Sequence, residues 1–163
     1  MKVLGIDPGT AACGYGIVHE SDGRLRAIEF GSWTTAAADP LELRLLAIHE
    51  RVEALIRLHA PAAVALEESY VGADARTALS VGQARGAVLV ASAREGVECV
   101  EYPPAMVKKA VCGYGRADKE QMQRMVKAIL GLDTLPRPHH AADALGIAIC
   151  HALAPPLLKK VAS

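Results

Sequence analysis

Four side chains in this 163-residue chain could together do metal chemistry: Asp7, Glu67, His140 and Asp143. Asp7 ends the apolar run Val3-Leu4-Gly5-Ile6 and opens Asp7-Pro8-Gly9-Thr10, a turn signal. Glu67 ends a second apolar run, Ala62 to Leu66. A carboxylate at the end of a buried strand has to be paired, hydrogen-bonded or metal-bound, because burying it bare is too costly. The plain alternatives are an Asx turn at Asp7 and a solvated loop position for Glu67. His140 stands three residues before Asp143, and His139 four before it, so either histidine can share a helical face with Asp143. Here the alternative is decoration of a helix N-terminus. Carboxylates with one imidazole make a hard oxygen set that suits Mg²⁺ or Mn²⁺, the nitrogen favouring Mn²⁺. Two such ions, about 3.5–4 Å apart, would activate a water and stabilise the leaving oxygen in phosphodiester hydrolysis. Lys108, Lys109, Arg116 and Lys119 are candidates to receive a substrate backbone. Tyr70, just past Glu67, could stack on a base, and Glu68 competes with Glu67 for the cleft-facing position.

The elements that must position these groups follow from pattern. Val3–Ile6 and Cys13–Val18 read as a hairpin, with glycines 5, 14 and 16 suggesting close backbone approach beside Asp7. After the turn Glu20-Ser21-Asp22-Gly23, Leu25 to Trp33 reads as a third antiparallel strand. Residues 40–59 read as an amphipathic helix on the stripe Leu41, Leu45, Ile48, Val52, Leu55, Ile56 and His59. Asp39, Pro40 and Glu42 suggest a capping box at its start. Ala62 to Leu66 reads as a buried parallel strand, and residues 75–94 as an Ala-rich helix. On that helix Ala78, Gly82, Gly86 and Ala93 would allow close packing against another helix. A strand over 97–102 and helices over 104–111 and 119–130 follow, the last capped by Asp118 and closed by Gly131. His139 or His140 opens a final helix running to about Leu153. The order gives an α/β fold with a mixed five-stranded sheet, antiparallel in the meander and parallel beyond it. Such sheets bind ligands at the carboxyl ends of their parallel strands, where Asp7 and Glu67 are placed.

Composition narrows the class. The length suits a single domain, expected over residues 1–154, with 155–163 as a flexible tail. The chain is 52% hydrophobic with one Phe and one Trp, and no apolar stretch reaches the roughly 18 residues of a membrane span. No secretory segment precedes Asp7, so a soluble, cytoplasmic protein is expected. The cysteines at 13, 99, 112 and 150 contain no Cys-x-x-Cys pair and read as small apolar residues. Net charge is zero, which argues against indiscriminate coating of nucleic acid. The charge is uneven, however: residues 1–100 hold 9 Lys/Arg against 13 Asp/Glu, and 101–163 hold 9 against 5.

Several separated motifs also resemble one family. Gly5-Ile6-Asp7-Pro8-Gly9-Thr10 with Gly14-Tyr15-Gly16, Leu66-Glu67-Glu68, the run Leu79 to Gly86, Val107-Lys108-Lys109-Ala110-Val111, and His140-Ala141-Ala142-Asp143-Ala144-Leu145 occur in the order and spacing of bacterial Holliday-junction resolvases of the RuvC type. The resemblance implies a ribonuclease H-like fold with helices on both faces of the sheet. It implies a homodimer, and Mg²⁺- or Mn²⁺-dependent paired nicking of four-way junction DNA in recombination and repair. Partners of the RuvA and RuvB type, a junction-binding tetramer and a branch-migration helicase, are implied with it. It places the family's acidic positions on Asp7, Glu67, His140 and Asp143, its basic positions on Lys108 and Lys119, and its aromatic on Tyr70. His140 stands where the family's Asp-Ala-Ala-Asp pattern has its first carboxylate. An imidazole brings one negative charge fewer, so weaker use of Mg²⁺ is expected, with a metal-ligand role ahead of an acid–base one. Another ribonuclease H-like nuclease, a sugar-kinase-like phosphate cradle at Asp7-Pro8-Gly9-Thr10, and a non-cutting junction scaffold are the competing readings.

Overall fold

The computed structural model describes residues 1–68 and 75–154. The position expected for Tyr70 and the tail expected at 155–163 lie outside the described residues. The chain runs β1 (Lys2–Asp7), β2 (Ala12–Ser21), β3 (Arg24–Thr34), α1 (Leu41–His59), β4 (Ala63–Glu67), α2 (Ala75–Arg94), β5 (Glu98–Tyr102), α3 (Pro104–Cys112), α4 (Lys119–Leu130) and α5 (His139–Leu153). One sheet of order β3-β2-β1-β4-β5 results. β1 pairs antiparallel with β2 and parallel with β4, which pairs parallel with β5. This is the mixed five-stranded sheet expected from the sequence. β1 lies at its centre, so Val3, Leu4 and Ile6 are fully buried from both faces, which is why its sequence is apolar without alternation.

Helices cover both faces. α1 and α2 pack on one, where Ile48, Val52, Val88 and Ala91 meet Leu4, Ile6, Val64 and Leu66. On the other, α3, α4 and α5 supply Val107, Val126, Leu145 and Ile149 against Val3, Ala65 and Val100. α5 is the axis of that layer. Every residue from Ala141 to His151 is buried except Asp143, the pattern of a helix enclosed on all sides. The polar groups this encloses are matched: His151 Nδ1 lies 2.8 Å from the hydroxyl of Tyr102.

α5 sits on bare backbone. A Cβ at Gly5 would stand 2.1 Å from the carbonyl oxygen of Ala144, and one at Gly14 would stand 2.0 Å from that of His140. The side-chain-free positions at the centre of β1 and the start of β2 therefore let the helix rest directly on the strands. That contact carries the first turn of α5 to the end of β1.

Several local expectations change. α1 starts at Pro40 with no side-chain cap, because Asp39 lies in the preceding turn with its N–H donated to the carbonyl of Ala36. The carbonyl of Pro40 instead receives the N–H groups of Leu43 and Arg44. Leu41, first on the anticipated apolar stripe, is exposed, and Leu45 is only partly covered. The small-residue stripe of α2 is not used against α1, since Gly82 and Gly86 face open space and Ala84, Val88 and Ala91 make the contact. α4 keeps its cap: Asp118 accepts from the N–H of Gln121 at 2.8 Å, and Gln121 reciprocates at 3.0 Å. All four cysteines are free, Cys13 and Cys150 buried. Among the described residues no helix is long and apolar enough to cross a membrane.

Gly5→Ala tests the seating of α5. The added methyl meets helix backbone rather than a flexible side chain, so the variant should lose about 3 kcal/mol, the upper end for overpacking. Urea unfolding measures it, and an unchanged midpoint would show that the helix does not rest on β1.

Candidate active site

Parallel register brings the strand-end carboxylates together. Ile6 of β1 is opposite Leu66 of β4, so Asp7 and Glu67 leave adjacent strands side by side. Both lie on the sheet face that carries α5, as Val3 and Ala65 do, and Asp143 reaches them from the start of the second turn of that helix. The three carboxylates line one cleft of about 250 Å³. Lys108 from α3 and Lys119, the first residue of α4, line it too, and Val107, Met122 and Ile147 form its apolar wall. The capping box at Asp118 fixes where Lys119 enters. Pro104 at the start of α3 sets the direction of the helix that carries Lys108.

Like charges dominate the electrostatics. Burial first, and then the nearby Asp7 and Asp143, push the Glu67 carboxyl up to about 7 against the opposing pull of Lys108. Asp143 is raised as well, first by burial and then by Asp7, with Lys119 and the two histidines opposing. Cys150 lies beneath the site, its thiol pushed up to about 12 by burial and then by Glu67. Carboxylates crowded this way are destabilised as anions unless a cation joins them.

His140 stands differently from expectation. Its ring does not line the cleft, and Nδ1 lies 2.7 Å from Oδ2 of Asp7. An ionised carboxylate only accepts, so Nδ1–H donates, which leaves Nε2 as the ring nitrogen that Asp7 does not engage. The site therefore offers three carboxylates and one outward imidazole nitrogen, a donor set that fits a hard divalent cation. Among the described residues, no three His, Cys, Asp or Glu groups already stand in a closed metal-binding arrangement.

Of the other anticipated residues, Lys109 and Arg116 are exposed and do not line the cleft. Lys109 turns outward at the end of α3, and Arg116 lies in the turn before α4. Glu68 continues the sheet, its N–H donating to the carbonyl of Tyr102 at 2.9 Å. Sequence reasoning missed Val107 and Ile147 as wall residues, although the inward periodicity of their helices could have marked them. His139, the other histidine that the spacing allowed beside Asp143, has its Nδ1 2.9 Å from the amide nitrogen of buried Gln123. The hydroxyl of Thr10, expected in one reading to cradle phosphate, is instead bonded to Ser80.

Comparison with known proteins places this geometry. The family model described as crossover junction endodeoxyribonuclease RuvC matches residues 3–151. A curated protein of that description from Chloroflexus aurantiacus is 52% identical over 160 residues, covering 98% of each chain. One from Desulfitobacterium hafniense is 49% identical over 161 residues, covering 99% of this chain and 98% of its own. The solved structure of Thermus thermophilus RuvC in complex with Holliday junction substrate is similar at a TM-score of 0.88 and 42% identity, covering 93% of each chain.

The raised carboxyls give a signed pH dependence. Glu67 binds its proton more tightly folded than unfolded, so the stability it contributes is present below about 4.5 and is lost as pH rises to about 7. In metal-free protein, Glu67→Gln should remove that loss and gain about 1–2 kcal/mol on wild type between about pH 5 and about pH 8, after discount for solvent screening. Added Mn²⁺ should flatten the wild-type slope. Thermal melts across pH check both, and a wild-type slope equal to the variant's would contradict the crowding.

Proposed function

The chain belongs to the RuvC family of crossover junction endodeoxyribonucleases, and we propose that its acidic cleft cuts four-way DNA junctions by metal-dependent hydrolysis of phosphodiesters. The observation that carries this is the combination in one cleft of Asp7, Glu67 and Asp143 with Lys108 and Lys119. Anionic groups concentrate divalent cations, and flanking ammonium groups receive a phosphate backbone. Asp7, Glu67 and Asp143 would hold two ions, His140 would join them once its ring turns from Asp7 into the cleft, and the imidazole favours Mn²⁺ over Mg²⁺. A divalent ion there supplies a water of lowered pKa and charge neutralisation at the leaving oxygen.

The chain's own groups do the rest. Lys108 and Lys119 hold the phosphodiester against the carboxylates from two separate helices, which fixes its orientation. Val107, Met122 and Ile147 keep one wall dry and so strengthen the charge interactions within the cleft. The hydrogen bond from His140 fixes the rotamer of Asp7. Tyr70 remains the candidate for stacking on an unpaired base, and Lys109 and Arg116 for backbone contacts outside the cleft.

We propose that the chain acts as a homodimer, because an open junction has approximate two-fold symmetry and two identical sites match two identical strands. The α1–α2 layer offers the surface. Leu46, Leu79 and Val90 are 49%, 63% and 53% exposed there, beside Gly82 and Gly86, which have open space above them. Membership of the family supports partners of the RuvA and RuvB type.

Cleavage of a synthetic four-way junction tests the function, beside linear duplex and an RNA–DNA hybrid, with Mg²⁺, with Mn²⁺ and in EDTA. Paired nicks on the junction alone, abolished by EDTA, are expected. Asp7→Asn should lower the rate about a thousandfold or more while leaving junction affinity within about threefold. Cutting of the hybrid instead would overturn the substrate assignment. Val90→Glu, at an exposed position, should yield a folded monomer in sedimentation, whereas an intact dimer would move the interface elsewhere.

A further inference from the structure

The turn that follows Asp7 is held from one side by a contact that the cleft chemistry does not use. Thr10 lies three residues past Asp7 and is 7% exposed, buried although polar. Its hydroxyl is hydrogen-bonded to the hydroxyl of Ser80, on α2. The carbonyl of Thr10 accepts from the hydroxyl of Thr35, which in turn accepts from Nε of Arg44 at 2.8 Å. The N–H of Thr35 donates to the carbonyl of Ala11 at 3.1 Å. The contacts from Thr35 and Arg44 tie the turn to the end of β3 and to α1. Only the Thr10–Ser80 bridge, among these, ties it to α2, the helix that packs beneath the sheet on the face away from the cleft.

We propose that Thr10 and Ser80 are a positioning pair for Asp7, setting the height of its carboxylate relative to Glu67 and Asp143. The reasoning is mechanical. Asp7 is the last residue of β1, so its backbone is held on one side by the sheet and on the other by the turn. The close fit of Gly9, where a Cβ would stand 2.4 Å from the carbonyl oxygen of Ala12, leaves that turn little slack. A shift of the turn at Thr10 is therefore passed back to Asp7. With the hydroxyl pair broken, a buried oxygen at Thr10 has to find another partner, and the turn moves to supply one. Small displacements of a ligating carboxylate are costly: a misplacement of about 1 Å can lower a rate about a hundredfold, and loss of an outer-shell partner can weaken metal binding about tenfold or more. Neither hydroxyl touches substrate or metal in this role. The pair acts through Asp7. The inference rests on the metal-dependent reading of the cleft given above.

The test uses the full chain with Thr10→Val, which keeps shape and removes the hydroxyl, Thr10→Ser, which keeps the hydroxyl, and Ser80→Ala. Mn²⁺ affinity is measured by calorimetry on metal-free protein, and kcat and KM on the four-way junction. Thr10→Val and Ser80→Ala should each weaken Mn²⁺ binding about tenfold and lower kcat about ten- to a hundredfold, with KM within about twofold. The double variant should be no worse than the poorer single variant, and Thr10→Ser should restore both quantities. Unchanged Mn²⁺ affinity in Thr10→Val and Ser80→Ala would overturn the proposal. So would a loss that follows the melting temperature and is not recovered in Thr10→Ser. Ser80 is only half-buried, so Ser80→Ala decides the question even where Thr10→Val fails to fold. If wild type binds Mn²⁺ but cuts no junction, the functional reading fails, and the calorimetry still judges the pair.

Discussion

Direct contact between α5 and the bare backbone of β1 and β2 is the constraint on which the site depends. An ordinary helix on a sheet is held about 10 Å away by the side chains between them. Here Gly5 and Gly14 remove those side chains where Ala144 and His140 come down. The first turn of α5 therefore reaches the end of β1, and Asp143 joins carboxylates that come from two different strands. The small residues of α5 serve the same end, with Ala141, Ala144 and Ala148 all fully buried. Close packing of this kind leaves the helix no room to slide, which is what a site assembled from three separate elements requires.

Against that rigid frame stands an electrostatic cost. The carboxylates of Glu67 and Asp143 are pushed upward by burial and by Asp7, so both are disfavoured as anions where they stand. Nothing in the hydrophobic core relieves this. Lys108 and Lys119 relieve part of it from the rim, and His140 engages Asp7. The remainder would favour a bound cation, as the proposed metal-dependent reading requires. A site organised for function gives up local stability, and the surrounding core makes up the difference.

Much of this was legible in the sequence because it rests on short-range rules. Apolar runs that stop at Asp7 and Glu67 marked strand ends, and glycines 5, 14 and 16 marked a close approach. What could not be read was the identity of the approaching element, since periodicity defines a helix without saying which strand it crosses. The same gap explains His140, which shares a helical face with Asp143 but turns its Nδ1 to Asp7. Asp39 carried a plausible cap signal, yet the turn from Ala36 claimed its backbone and left Pro40 to begin α1. Lys109 and Arg116 were chosen by charge and proximity in sequence, whereas only a helix's rotation decides that Lys108 faces the cleft and Lys109 does not. On α2 the small-residue stripe was noticed, but whether it packs within the chain or faces outward depended on which side α1 occupies.

The central claim is that seating α5 on β1 builds a binding site for divalent cations between three carboxylates. The most direct measurement is anomalous scattering from a crystal of the protein grown with Mn²⁺. Peaks bounded by Asp7, Glu67 and Asp143, absent from an Asp143→Asn crystal grown in the same way, are the expected result. An empty cleft at saturating Mn²⁺, with α5 still seated on Gly5 and Gly14, would contradict it.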